Sequence, residues 1–279
     1  MIGRKVILLV ASEKDPASMN IAKQVLANYP FKLCGEKFKE ARVYAAKVCM
    51  QEVRLTILDE ELVYAQDIAS FSPVLRLIIF LSRHSSLSGT PTLSVHTPGN
   101  LGPAVLGGFP KKVSVSPANV MRAALKAMAK VVNEKKLNYK VSYECTHHGP
   151  SLESPAMFIE LGSSQKQWMD LKAAEAVAHA TMEAISSFGR EKAQAALGIG
   201  GPHYNEKFTR MALEEGLAFG HIIPKYAISQ FDEEVLRQCI NKTCEKVKLA
   251  VLDWKGIKSE DKQRLIQMLQ KTGLEIQKV

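Results

Sequence analysis

The order of apolar and polar runs along this 279-residue chain predicts an α/β protein, a three-layer α/β/α arrangement around a mainly parallel, mixed sheet. Three observations carry that expectation. Strand-like runs alternate with helix-period runs over most of the chain. The runs Lys5 to Ala11 and VLRLIIFLS after Pro73 are apolar almost throughout, as strands buried on both faces are. The connections between runs are short. No internal repeat, low-complexity stretch or linker divides the chain, so residues 1–279 read as a single domain.

Taken in order, Lys5 to Ala11 is the first strand. Asp15-Pro16 then sets an N-cap residue before one suited to the first helical position. The helix runs to about Asn28 with Ile21, Ala22, Val25 and Leu26 inward. No glycine-rich phosphate loop separates strand from helix, so a Rossmann or Walker site is not supported there. Short β-prone runs follow at Ala41 to Val48, Val53 to Leu58 and Leu62 to Ile68. The run after Pro73 discharges Ser82, Arg83, His84, Ser85 and Ser86 at its carboxyl end, a common way to build a site. Thr92 to His96 is a short strand. The Gly/Pro-rich loop after it, to Gly107-Gly108, would let backbone approach a ligand closely. A helix spans Pro117 to about Lys135, with Val120, Ala124, Leu125, Met128 and Val131 at helical spacing. Tyr139 to Cys145 and Ala156 to Leu161 are strands, and Ser164 to Phe188 reads as one long helix. Ala195 to Ile199, Leu217 to His221, Leu249 to Leu252 and Leu274 to Val279 are further strands. Helices run to about Glu215, over Asp232 to Lys242, and over Ser259 to Lys271 with Ser259 as cap.

Composition narrows the classes. The cysteines are Cys34, Cys49, Cys145, Cys239 and Cys244, odd in number and without CxxC spacing, which argues against a disulfide framework and a zinc ribbon and for a cytoplasmic setting. No apolar run approaches the roughly 18 residues of a membrane span, and MIGRKVILLVAS reads as a strand, not a signal peptide core. A net charge of +9 is compatible with an anionic partner, nucleic acid first.

The chemistry gathers at strand ends. The stretch Glu144 to Ser164 carries adjacent His147 and His148, a Gly-Pro break, and Glu160 near the end of the next strand. With His84, His96, His203 and His221, these residues are expected to converge along the carboxyl edge of the sheet. Six of the seven histidines fall in such loops, leaving His179 on a helix. Two chemistries suit the set. Imidazoles and a carboxylate could hold one or two zinc ions; alternatively, a histidine or Glu160 acts as general base, with backbone amides holding an oxyanion. His147 and His148 cannot share a site on an extended chain, because neighbours alternate faces; a loop conformation would relax that limit. No GxSxG elbow supports a serine nucleophile. Cys145 reads as core. Gly102-Pro103, Gly149-Pro150 and Gly201-Pro202 are candidates for stiff pocket walls.

The blocks RHSS (83–86), HTPGN (96–100), CTHHGPSLESPAMFIELGSS (145–164), ALGIGGPHY (196–204) and GHIIPKYAI (220–228) closely resemble the archaeal and plant type of D-aminoacyl-tRNA deacylase, over essentially the whole chain. The resemblance implies hydrolysis of the ester between a D-amino acid and tRNA, with two zinc ions per subunit. It also implies a fold similar to that of peptidyl-tRNA hydrolases and nucleoside phosphorylases. It does not transfer individual ligands. The expected catalytic residues are therefore those of the histidine loops, His84, His147, His148 and Glu160, and the expected metal ligands are His96, His147, His148, His203 and Glu160. The acceptor end of tRNA would meet Arg83, Lys111, Lys112, Lys207, Arg210 and Lys225. The oligomeric state stays open between monomer and homodimer. Two other readings fit the residues: a hydrolase or phosphorylase acting on a free nucleoside or peptide, and a non-enzymatic tRNA-binding protein with incidental histidines.

Overall fold

A computed structural model of the chain describes residues 5–190 and 192–279; the first four residues of the expected opening run lie outside the described residues. The first half comprises β1 (Val6–Ser12), α1 (Pro16–Asn28), β2 (Lys32–Phe38), β3 (Ala41–Val48), β4 (Gln51–Leu58), β5 (Leu75–Arg83), β6 (Thr92–His96), α2 (Ala118–Glu134) and β7 (Lys140–Tyr143). The second comprises β8 (Ala156–Gly162), α3 (Gln165–Trp168), α4 (Leu171–Ser186), β9 (Gln194–Ile199), α5 (Glu206–Glu214), β10 (Leu217–Ile223), α6 (Glu233–Asn241), β11 (Leu249–Leu252), α7 (Ser259–Gln270) and β12 (Glu275–Lys278).

The strands divide between two sheets. One has eight strands in the order β2-β3-β4-β1-β5-β8-β6-β7, and the other four in the order β10-β9-β11-β12. The smaller sheet is parallel throughout. In the larger, β4, β1, β5 and β8 are mutually parallel, the β2-β3-β4 meander is antiparallel, and β6 runs against β8. The α/β layering follows from the burial pattern. Helices α1, α2 and α4 cover one face of the large sheet through Ile21, Val25, Leu125, Met128, Val177 and Ile185. Helix α2 also reaches the small sheet beside α5, while α6 and α7 cover that sheet's other face.

Three local expectations are corrected, and one strand, β2, is added to those expected. Leu62 to Ile68 is not a strand but two 3-10 turns, Leu62–Tyr64 and Gln66–Phe71. The buried residues there, Leu62, Ala65 and Ile68, recur every third position, the 3-10 period rather than the strand period. The helix expected over Ser164 to Phe188 breaks before Asp170, whose carboxylate accepts from Lys172 N and Ala173 N and starts α4 afresh. Ser259 is the first residue of α7, not its cap, which is Lys258. β2 carries no apolar alternation because it is an edge strand with almost every residue exposed.

The face of the large sheet that the helices leave free holds the 3-10 turns and a second cluster, with Phe80 and Phe158 stacked at 4.6 Å. Along β5, β6 and β8 the same face continues from Phe80 and Phe158 to Ser82, Ser94, His96 and Glu160, through the period of two and the pairings Ser82↔Glu160, Ser94↔Glu160 and His96↔Phe158. Beyond β7 the chain crosses from one sheet to the other. Glu144 bridges to Tyr204, and Thr146 N donates to Ile222 O of β10 at 2.9 Å. Residues 144–148 are thereby held from both sides.

Candidate active site

The reactive groups meet on that helix-free face. Antiparallel β6 prevents all carboxyl ends from lining one edge, so convergence comes from the pleat as well as from strand ends. His84 follows β5, His96 ends β6, and Glu160 lies within β8. Glu144 sits one residue beyond β7, on the same face as Ser94, whose hydroxyl donates to its carboxylate. His203 arrives on the turn after β9.

His147 and His148 both face the cluster, their rings 4.3 Å apart. The alternation that forbids this is broken by His148, which adopts φ 43°. That left-handed conformation is uncommon for a residue with a side chain. The loop after β6 clamps it: Gly99 N donates to the carbonyls of His147 (3.2 Å) and His148 (2.6 Å). His147 Nδ1–H donates to Cys145 O at 2.8 Å and His148 Nδ1–H to Gly149 O at 2.7 Å. A carbonyl only accepts, so both rings carry their proton on Nδ1 and keep the Nε2 lone pair free. The ring of His96 lies 4.2 Å from that of His147 and stacks on Phe158.

The carboxylates tie the remaining imidazoles. His203 Nε2 is 2.8 Å from Glu144 Oε2, and His84 Nδ1 is 3.1 Å from Glu144 Oε1 and 3.4 Å from Glu160 Oε2. His147 Nε2 lies 3.7 Å from Glu144 Oε2, and His96 Nε2 3.6 Å from Glu160 Oε1. The hydroxyl of Tyr204 closes on His84 Nε2. Burial alone would lower His84, but hydrogen bonds and charge from Glu144 and Glu160 outweigh it and raise it to about 10. Burial likewise opposes the hydrogen bonds that His203 makes with Cys145 and Glu144, and these raise it to about 10. His148 is pushed down to about 4 by burial and by His96, and His147 is lowered by burial and by its histidine neighbours. Burial would raise Glu144, yet the imidazole hydrogen bonds hold it well below the usual range.

A cavity of about 540 Å³ opens onto the cluster, lined by His84, His147, His148, Glu160 and His203 on one side. Asp15, Glu61, Ser82, Arg83 and Ser85 form a polar wall, and Leu62, Val63, Tyr64 and Leu106 an apolar one. Asp15, the cap of α1, accepts from Arg83 N at 2.7 Å, and burial raises it to about 6.

Every expected catalytic and metal residue is thus gathered in one place: His84, His96, His147, His148, Glu160 and His203. His221 is not among them. It is fully buried and braces the crossing segment, with Nδ1 3.1 Å from Thr146 Oγ1 and Nε2 3.3 Å from Lys242 O. His179 lies apart on α4, its Nδ1 3.3 Å from the Tyr29 hydroxyl. Cys145 is fully buried in the core, as expected, and its sulfur also lies 3.2 Å from both His203 Nδ1 and the Tyr226 hydroxyl. None of the three Gly-Pro prolines lines the cavity. Of the expected tRNA contacts, only Arg83 lines it, and its guanidinium is engaged with Glu61 and Lys14 O. Lys111, Lys112 and Lys207 are paired with Asp232, Glu234 and Asp253. Arg210 and Lys225 make no ion pair among the described residues. Reading the residues singly missed Glu144, Tyr204 and Asp15. The available signal for Glu144 was its place two residues after Ser142 on a buried strand and three before His147.

Fold and site together define an α/β protein with imidazoles and carboxylates clustered beside a cavity. The family model for D-aminoacyl-tRNA deacylase matches residues 71–277. A D-aminoacyl-tRNA deacylase of Pyrococcus abyssi is 38% identical over 275 residues, covering 96% of this chain and 98% of its own. One of Methanocaldococcus jannaschii is 36% identical, covering 98% and 99%. The chain belongs to the D-aminoacyl-tRNA deacylase family. A crystal structure of a conserved protein of unknown function superposes with a TM-score of 0.89 at 28% identity, over all of this chain and 96% of that one. More distantly, the 5'-methylthioadenosine/S-adenosylhomocysteine nucleosidase of Campylobacter jejuni gives a TM-score of 0.43 at 11% identity over 66% of this chain. No helix among the described residues is long and apolar enough to cross a membrane.

Proposed function

We propose that the chain hydrolyses the ester between a D-amino acid and the 3′ end of tRNA, releasing both, with zinc held by the histidine–carboxylate cluster. The observation that carries this reading is the donor arrangement. Both ring nitrogens of His96 are buried without a hydrogen-bond partner, a costly state unless something else satisfies them. The Nε2 lone pairs of His147 and His148 are free beside it, and their Nδ1–H groups are fixed by carbonyls, as metal-binding imidazoles usually are. Ligand atoms of His96, His147 and His148 lie within 4.8 Å of one another, as do those of His84, Glu144 and His203. These two sets share no residue, so they could hold two ions. Zinc, when bound, lowers the pKa of a coordinated water to about 7 and polarises an ester carbonyl.

The protein's own groups do the rest. Glu160, on the cavity wall, takes the proton of the attacking water. Glu160 then gives that proton to the leaving ribose oxygen, while His84, bonded to both Glu144 and Glu160, holds the carboxylate in place. The test measures release of D-tyrosine from D-Tyr-tRNA beside L-Tyr-tRNA, before and after chelation with zinc add-back. Selective release lost on chelation and restored by zinc is expected. Selective release that survives exhaustive chelation would keep the deacylase and remove the metal, and no release from either tRNA would remove the deacylase.

The tRNA backbone supplies the anion that the +9 charge suits. Of the expected contacts, Arg210 and Lys225 are exposed and make no ion pair among the described residues, which leaves them available to phosphate. Reversing both to Glu is expected to weaken binding of deacylated tRNA and to reduce the slope of log affinity against log salt by about 1 for each phosphate that is no longer neutralised. An unchanged slope in filter binding would assign them to plain surface.

A further inference from the structure

The apolar wall of the cavity is a built surface. It combines the 3-10 turn Leu62–Tyr64 with Leu106 at the tip of the loop after β6. Tyr64 and Leu106 are 55% and 45% exposed, a large apolar area left open beside the reactive groups. Three glycines weld this wall to the histidine segment. A Cβ on Gly107 would lie 1.9 Å from Val63 O, and one on Gly149 would lie 2.2 Å from Gly108 N and 2.6 Å from Val63 O. Side chains at either position would force the turn, the loop tip and the His148–Gly149 segment apart. Gly149 N donates to Leu106 O at 2.8 Å, so Leu106 is fixed one residue from His148. Behind it, Asn100 Nδ2 donates to Gly107 O at 2.9 Å, and Gln66 and Ser151 bond each other through side chain and backbone. A surface held this tightly keeps its shape when a ligand enters.

We infer that Leu62, Val63, Tyr64 and Leu106 seat the side chain of the amino acid and determine which aminoacyl groups the enzyme accepts. The inference rests on the deacylase reading of the same cavity. In an aminoacyl ester the side chain leaves the carbon next to the reacting carbonyl, so its seat must adjoin the reactive groups directly. The terminal base is separated from that carbonyl by a ribose. The wall adjoins His148 through a single backbone hydrogen bond, and apart from the Tyr64 hydroxyl its side chains offer no polar atom to a base edge. Apolar discrimination of this kind grows with side-chain size, roughly 10–200-fold per methylene-scale difference.

The experiment compares kcat/KM for D-Tyr-tRNA and D-Ala-tRNA in the wild-type enzyme, Leu106→Trp and Leu106→Asp. Trp narrows the seat, and Asp places a charge in it. In both variants the ratio of D-Tyr to D-Ala efficiency is expected to fall by about tenfold or more. Because the Leu106 carbonyl makes the framework bond and the side chain is half exposed, the thermal melts should stay close to wild type. A ratio that stays at the wild-type value while both substrates slow together would overturn the inference and assign the wall to the terminal nucleoside, which the two substrates share. Hydrolysis of neither substrate by the wild-type enzyme is a separate result: it would remove the deacylase reading itself, and the seat with it.

Discussion

Glu144→Gln is expected to lower kcat/KM for D-aminoacyl-tRNA by on the order of 10³-fold, although the substitution changes almost no volume. Glu144 is 1% exposed, and its two oxygens accept from Ser94, His84 and His203. An ionised carboxylate only accepts, which suits donors arriving from all sides. Glutamine replaces one acceptor with an NH2 group, which then faces an imidazole N–H. The charge that raises both His84 and His203 to about 10 is lost at the same time. Breaking a buried ion pair by removing one partner typically costs about 3–5 kcal/mol, toward the lower end here because the His203 side chain is 30% exposed. A fall in melting temperature should therefore accompany the loss of rate. Measuring both separates the effects. If the variant at a temperature where it is fully folded keeps more than a tenth of wild-type activity, Glu144 holds the site together without tuning its chemistry.

Glu144 also shows where sequence reasoning stops. Elements announced by local chemistry were legible: α1 from Asp15-Pro16, β6 from the apolar run ending at His96, and β8 from its continuous burial. The histidine loops were legible as a set because so few histidines lay elsewhere. Glu144 was not, because a carboxylate next to a strand looks solvated until the partner strand is known, and Ser94 and His84 are fifty and sixty residues away in the chain. The split into two sheets was hidden for the same reason. β10 reads as one more parallel strand, and it takes bonds such as those between Thr146 and Ile222 and between Thr146 and His221 to show that the crossing segment ties it to the large sheet. His221 was misplaced because its strand runs on to Ile223, which moves a residue expected at a strand end into the interior. The turn at 62–68 failed through the wrong period, and with it went the apolar wall of the cavity. The family resemblance supplied an activity but no ligand assignment.

Among single histidine substitutions, His147→Ala is expected to be the most damaging, with activity down on the order of 10³-fold and bound zinc reduced, His148→Ala less severe, and His179→Ala within about twofold of wild type. The order follows from position. The ring of His147 lies 4.2 Å from that of His96, 4.3 Å from that of His148 and 4.5 Å from that of His203, so it touches every imidazole of the cluster except His84. It also belongs to two of the possible donor groups, with His96 and His148 and with Cys145 and His203, whereas His148 belongs to one. Alanine at 147 therefore opens both, and the Cys145 carbonyl loses the N–H that it accepts from His147. His179 lies on α4 with its ring nitrogen against the Tyr29 hydroxyl and serves as the control for removing an imidazole as such. Zinc content by mass spectrometry and tRNA affinity complete the comparison. Loss of zinc and of hydrolysis with tRNA affinity retained would separate the reaction from binding. Unchanged function in both His147→Ala and His148→Ala would make the histidines incidental and leave a protein that binds tRNA without cleaving its ester.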